Sequence, residues 1–248
     1  MPEVFNLIIL FLAGIAAGFI NVMAGGGSTI TLPILIFLGL DGSVANGTNR
    51  IAIFLQNITG VLSFKQEKYS DFRFSFKLAV WTLPGAIAGA FFATKLSNEA
   101  FNIVLGIIMI GVVISMLIPK KKLTAEFNKS DINWKTYVMM FGIGIYGGFV
   151  QVGVGMIIMA VLHNFLRMRL ASVNMHKVFI VLIYTIPALA IFIITDNVDF
   201  ALGLALAVGN SAGAWFAAKL SVRKGDKAVK IVLIVAVVLM SLKLFNVF

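Results

Sequence analysis

The chain has 248 residues, of which 60% are hydrophobic and 12% charged, with a net charge of +10. At a mean hydropathy of +1.02, a soluble domain of this length could not hide its apolar surface, so lipid has to cover much of it. The absence of cysteine excludes disulfides and thiol chemistry. The basic residues lie between apolar runs, where they read as signals for the cytoplasmic face and not as a nucleic-acid surface.

Met1-Pro2-Glu3 lacks the basic stretch of a cleaved leader, so the first apolar run is expected to be retained. Apolar segments then follow at 4–24, 28–40, 45–64, 73–96 and 99–119. A second set follows at 134–151, 153–166, 172–194, 199–219 and 227–247. Most approach the roughly 20 residues that a spanning helix needs. The segments at 28–40 and 153–166 are shorter and follow glycine-rich breaks, so each reads either as re-entrant or as half of a broken helix. The predicted fold is an all-α polytopic membrane protein with about eight to ten transmembrane helices.

The second set repeats the first. Gly14-Ile15-Ala16-Ala17-Gly18-Phe19-Ile20-Asn21-Val22 is matched by Gly144-Ile145-Tyr146-Gly147-Gly148-Phe149-Val150-Gln151-Val152. Gly85-Ala86-Ile87-Ala88-Gly89-Ala90-Phe91-Phe92 is matched by Gly209-Asn210-Ser211-Ala212-Gly213-Ala214-Trp215-Phe216. Order and spacing agree, which points to a duplication within one membrane domain, 1–248. The repeats span 1–119 and 134–248, joined by a basic linker at 120–133.

Loop charge orients the chain. Lys65, Lys68, Arg73 and Lys77 mark one loop as cytoplasmic, and Lys120, Lys121, Lys122, Lys129 and Lys135 mark the linker likewise. Arg167, Arg169, Arg223, Lys224, Lys227 and Lys230 fall on the same side, whereas Asp41, Glu99, Asp196 and Asp199 fall on the other. This threading places both termini outside and the linker inside, so the repeats are inverted. Inverted repeats in a membrane protein are the signature of alternating-access transport.

Polar residues within apolar runs mark a candidate site. Gly25, Gly26 and Gly27 free the backbone to turn, with Ser28 and Thr29 placed to cap the next helix. Such a helix start favours an anion. Close packing of small residues is the competing reading. Arg50 lies about 8 Å into its segment, and its approximate repeat mate is Lys177. A charge near mid-bilayer costs at least about 2.5–3.5 kcal/mol, so it needs a partner. No acidic residue shares the run, which makes a substrate anion a natural partner, with snorkelling to headgroups as the alternative. Asn49 and Gln56, like Arg50 and Asn57, are seven residues apart and continue a polar face. Asn21 and Gln151 occupy matching places in the two repeats.

His163 and His176, the two histidines, are more simply read as structural or interfacial, but they are the candidates for proton coupling. Separated and without carboxylate or thiol companions, they make no metal signature. All ten acidic residues map to loops, termini or segment edges, so no buried carboxylate relay is expected. Neither a nucleotide-binding loop nor a nucleophile–base pair is present, and neither an enzyme nor a cofactor is expected.

The run Gly18-Phe19-Ile20-Asn21, Gly25-Gly26-Gly27-Ser28, Pro33 and Ala45-Asn46-Gly47-Thr48-Asn49-Arg50 resembles the sulfite exporter TauE/SafE family of membrane permeases. The likeness spans nearly the whole chain and includes both repeats. The second repeat departs from the first, with Met156-Ile157 where Gly26-Gly27 would align, which weakens a symmetric two-loop site. The resemblance implies export of sulfite or organosulfonates across a prokaryotic plasma membrane.

The expected function is therefore secondary transport of a small anion. Arg50 serves as main cation, Lys177 as a weaker second, and Asn21, Gly25, Gly26, Gly27, Ser28, Thr29, Asn49, Gln56, Asn57 and Gln151 surround the substrate. A passive anion channel and a non-transporting membrane subunit are the alternatives. The expected partners are the anion and the bilayer, and self-association is compatible with this reading.

Overall fold

The computed structural model describes residues 2–117 and 132–244; residue 1, residues 118–131 (with most of the linker at 120–133) and the last four residues lie outside this range. The described residues form helices and turns, in the order α1 (Pro2–Ala24), α2 (Ser28–Phe37), α3 (Gly42–Gln66), α4 (Phe72–Lys95) and α5 (Asn98–Leu117). Next come α6 (Trp134–Phe149), α7 (Val154–Met159, continued as a π-helix over Ala160–Phe165), α8 (Leu170–Ile194) and α9 (Phe200–Leu244). The expected segments at 199–219 and 227–247 are joined in α9. The helix breaks only at Gly225, whose φ of 61° and ψ of −156° are non-helical.

Four helices among the described residues are long and apolar enough to cross a membrane: Phe5–Ala24, Phe72–Lys95, Leu170–Ile194 and Phe200–Gly225. Their outer faces carry exposed Phe11, Trp81, Phe92, Ile194 and Phe216. Such large apolar side chains are stable there because lipid, not water, surrounds them. The chain is a multi-pass membrane protein.

Small residues set the helix pairs. Beside Gly14 runs the α9 backbone at Leu206 and Asn210, and beside Gly213 runs α1 at Ile15 and Phe19, so α1 and α9 run in the same direction. At Gly18 an added Cβ would lie 2.1 Å from the Asn210 carbonyl oxygen, a spacing only glycine permits. The matching pair is α4 with α6. Gly85 lies against Phe141 and Ile145, Gly89 against Ile145 and Phe149, and Gly148 against Ala86, again in the same direction.

Helix α3 runs parallel to α9, with Gly47 at Asn197, Thr48 at Gly203, and the Ser63 hydroxyl donating to the Trp215 carbonyl. It runs antiparallel to α8, since Gly47 meets Phe192 while Gly60 meets Val178.

These directions give α2 its task. Helices α1 and α3 point the same way, so α2 has to return the chain to the side from which α1 began. Its 10 residues are about 15 Å long, half of a hydrocarbon core of about 30 Å. The six residues of α7 and the six of its π continuation lie between α6 and α8 in the same manner.

At one end of the bundle Asn98 joins the turns, donating to Asp41 and accepting from the Gly42 N–H. At the other end Arg223 pairs with Glu67 at 2.7 Å and Tyr69 meets Ser172. The acidic Asp41, Asp196 and Asp199 therefore share one end, and Lys65, Lys68, Arg169 and Arg223 share the other. One apolar cluster lies toward each end, around Leu35, Phe101 and Phe192 and around Phe64, Met175 and Ala214. The candidate site lies between them.

Candidate functional site

The two glycine-rich breaks meet. Gly25, at φ +84°, and Gly153, at φ +71°, take left-handed conformations that end α1 and open α7. The backbone of Gly25 packs on that of Gly155, where an added Cβ at Gly25 would stand 2.4 Å from the Gly155 carbonyl carbon. Gly27 sits against the Ala17 carbonyl of α1.

The expected capping of α2 is corrected by the structure. Gly27 occupies the cap position, and no side chain caps the helix. The Thr29 hydroxyl instead donates back to the Gly26 carbonyl at 2.6 Å, and Ser28 accepts from Asn49. Asn49 also accepts from Thr31 at 2.7 Å, so it ties the start of α2 to α3.

Beside the crossing lies a small cavity lined by Asn21, Ser28, Ile53, Gln56, Asn57, Gln151, Val154, Gly155, Lys177 and Val181. Its free space of about 10 Å³ has room for about one water molecule. Six of the residues expected from the sequence are brought together here: Asn21, Ser28, Gln56, Asn57, Gln151 and Lys177. Gln56 accepts from Asn21 at 3.3 Å and from Asn210 at 3.1 Å, linking α1, α3 and α9. Asn57 donates to the Ile53 carbonyl, and Gln151 donates to the Thr185 hydroxyl at 3.0 Å. The Gln151 side-chain oxygen is buried without a partner. No carboxylate lines the cavity.

Gly25, Gly26, Gly27, Thr29, Asn49 and Arg50 do not line it. Arg50 is fully buried, and its charge, expected to meet a substrate anion, meets a helix end. Its guanidinium donates to the carbonyls of Gly147, Gly148 and Phe149 at 3.0, 2.5 and 3.4 Å. These are the last carbonyls of α6, which have no partner within the helix and carry the negative end of its dipole. The Phe192 ring covers the guanidinium with its centroid 4.6 Å away.

Lys177 does the same for α1. Its ammonium donates to the Val22 carbonyl at 2.6 Å and to the Asn174 side chain at 3.0 Å, and touches the Met159 sulfur at 3.6 Å. Each cation thus comes from the third helix of one half and ties the end of the first helix of the other half.

Two of these contributors are not among the expected site residues, and a third, Asn210, reads from the sequence only as interhelical glue. Asn46 donates to the Phe149 carbonyl, Asn174 holds Lys177, and Asn210 holds Gln56. A signal for the first two exists, because Asn46 and Asn174 each stand about one helical turn before a buried cation. His176 lies next to Lys177 but turns away from the cavity, with its ring nitrogen 2.7 Å from the Ser75 hydroxyl. His163 is bonded to the Met168 carbonyl at the end of the π-helix.

Fold and site define a multi-pass membrane protein with a polar, cationic cavity at the meeting of two broken helices. The family described as sulfite exporter TauE/SafE matches residues 10–244, and the chain belongs to it. A probable membrane transporter protein of Haemophilus influenzae is 23% identical over 240 residues, covering 96% of this chain and 94% of the relative. The probable membrane transporter protein YfcA of Escherichia coli K12 is 25% identical, covering 95% and 88%. A third relative, the probable membrane transporter protein YunE of Bacillus subtilis, is 24% identical, covering 94% of each. No solved structure matches the chain.

Proposed function

We propose that this protein is a secondary transporter of small anions, sulfite or organosulfonates, exporting them by alternating access between two inverted repeats. The observation that carries the reading is the cavity. A buried ammonium, four side-chain amides and a hydroxyl converge there without a carboxylate. Amides and hydroxyls can donate to an oxyanion while Lys177 supplies the opposite charge. The lysine is therefore the substrate cation in this mechanism, and Arg50 is a joint that holds α6. The family and the names of its relatives support transport and point to the substrate class.

The inverted duplication is supported by the packing. Helix α1 lies on α9 as α6 lies on α4, and the motif-matched helices α3 and α8 run antiparallel to each other. With the basic end of the bundle in the cytoplasm, both termini lie outside. Rocking of one half against the other would pivot where Gly25 meets Gly155.

The test is reconstitution in liposomes, with currents on a solid support after jumps of sulfite, sulfate, sulfoacetate, taurine or chloride. A saturable response to one oxyanion class is expected, and it should be lost in Lys177→Met. Silence across the panel, repeated in radiolabelled counterflow, would sink the reading. A conductance that rises without saturation would replace the transporter by a channel.

A further inference from the structure

The two buried cations differ in what else they can reach. Arg50 is sealed under Phe192 and lies outside the cavity. Lys177 lines it, and its three N–H donors are not held equally. Two meet oxygens, of Val22 and Asn174, while the third faces the Met159 thioether, a weak acceptor. An anion in the cavity would take that third position first. Once there, its charge would draw the ammonium more strongly than the neutral Val22 carbonyl does.

Val22 belongs to the last turn of α1, which ends at Ala24. Directly beyond it, Gly25 makes the backbone contact with Gly155. We infer that Lys177 is the link between anion occupancy and conformational change. The anion and the Val22 carbonyl compete for one ammonium, so filling the cavity releases the end of α1. A ligand moves an equilibrium only if it binds one state better than the other, and this competition supplies the difference. The end of α6 makes no such exchange, because Arg50 has no access to the cavity. This inference rests on the anion reading of the cavity given above.

The chain has no cysteine, so single reporters can be placed without background. Ala24→Cys reports on the end of α1 and Val150→Cys on the end of α6, both at fully buried positions. The rate of labelling by N-ethylmaleimide is measured in proteoliposomes, with and without sulfate or sulfoacetate; sulfite is left out because it consumes maleimide. Without any anion, Lys177→Met should speed labelling at position 24 about tenfold, roughly the worth of one charge-assisted hydrogen bond. Sulfate or sulfoacetate should speed it in the chain that keeps Lys177. Position 150 should stay slow throughout.

Unchanged labelling at position 24 in Lys177→Met overturns the link, whether or not an anion is carried. Equal acceleration at position 150 overturns it too, as general loosening. If Lys177→Met labels fast while neither anion has an effect, the competition is wrong; saturable currents would then leave the transport reading standing, and their absence would remove both. Lys177→Gln, which removes the charge but keeps a neutral amide donor group, replaces Lys177→Met if size exclusion shows the latter misfolded.

Discussion

Arg50 and Lys177 occupy matching places in the two halves, yet they are built differently. Arg50 spreads a planar fork over three carbonyls of α6 and is closed off by an aromatic ring. Lys177 offers a point charge to one carbonyl, one amide and one sulfur, at the wall of a cavity. A guanidinium suits a permanent joint because its donors are fixed in a plane. An ammonium on a flexible stem suits an exchangeable one. The two joints are alike in position, and the choice of side chain separates their properties.

The sharpest way to break this comparison is to remove each charge and compare stability. Arg50→Ala leaves the buried carbonyls of Gly147 and Gly148 unpaired, with Phe149 keeping its bond from Asn46, and should cost about 3 kcal/mol or more. That is enough to lower the melting temperature in detergent markedly. Lys177→Met leaves one carbonyl and one amide unpaired and refills part of the volume, so its shift should be clearly smaller. Equal shifts would mean that both joints are structural.

Next in size is the seam between the halves. Gly25→Ala places a Cβ at φ +84° and into the Gly155 backbone. The conformation alone costs about 1–2 kcal/mol, and the collision should also slow anion flux. Gly106→Ala, with nothing within 4 Å of the new Cβ, is the comparison and should leave melting and flux unchanged or slightly raised. A Gly25→Ala protein with normal flux would separate the seam from the transport cycle.

The smallest effect belongs to the exposed tie between α3 and α9. Hydrogen bonding to Arg223 holds the Glu67 carboxyl below the usual carboxylate range. The stabilisation is thus present at neutral pH and fades as pH falls through that depressed value. Glu67→Gln should leave the melting temperature nearly unchanged at neutral pH. It should also remove any small acid-dependent loss traceable to this group.

Much of the site was legible because polarity is costly in a membrane. Asn21, Gln56, Asn57, Gln151 and Lys177 stand out in apolar runs, and all of them line the cavity. Arg50 stood out for the same reason, but the sequence could not say what neutralises it. Its partners are backbone carbonyls, which every residue has and no composition reveals. Asn210 reads from the sequence as packing glue, and its bond to Gln56, like that of Asn174 to Lys177, is visible only once the neighbouring side chain is placed.

The sequence by itself determined the solvent, the helical segments and the glycine breaks, because lipid imposes length and apolarity on every span and only glycine frees the backbone at the breaks. Only the tertiary structure decided which helix ends the cations hold, and that α2 and α7 turn back without crossing. It also decided that Lys177, not Arg50, faces the cavity. Those outcomes depend on contacts between residues far apart in the chain, such as Arg50 with Gly147 at a separation of 97 and Lys177 with Val22 at 155. No local pattern encodes such pairings; the packing of glycine faces between the halves does.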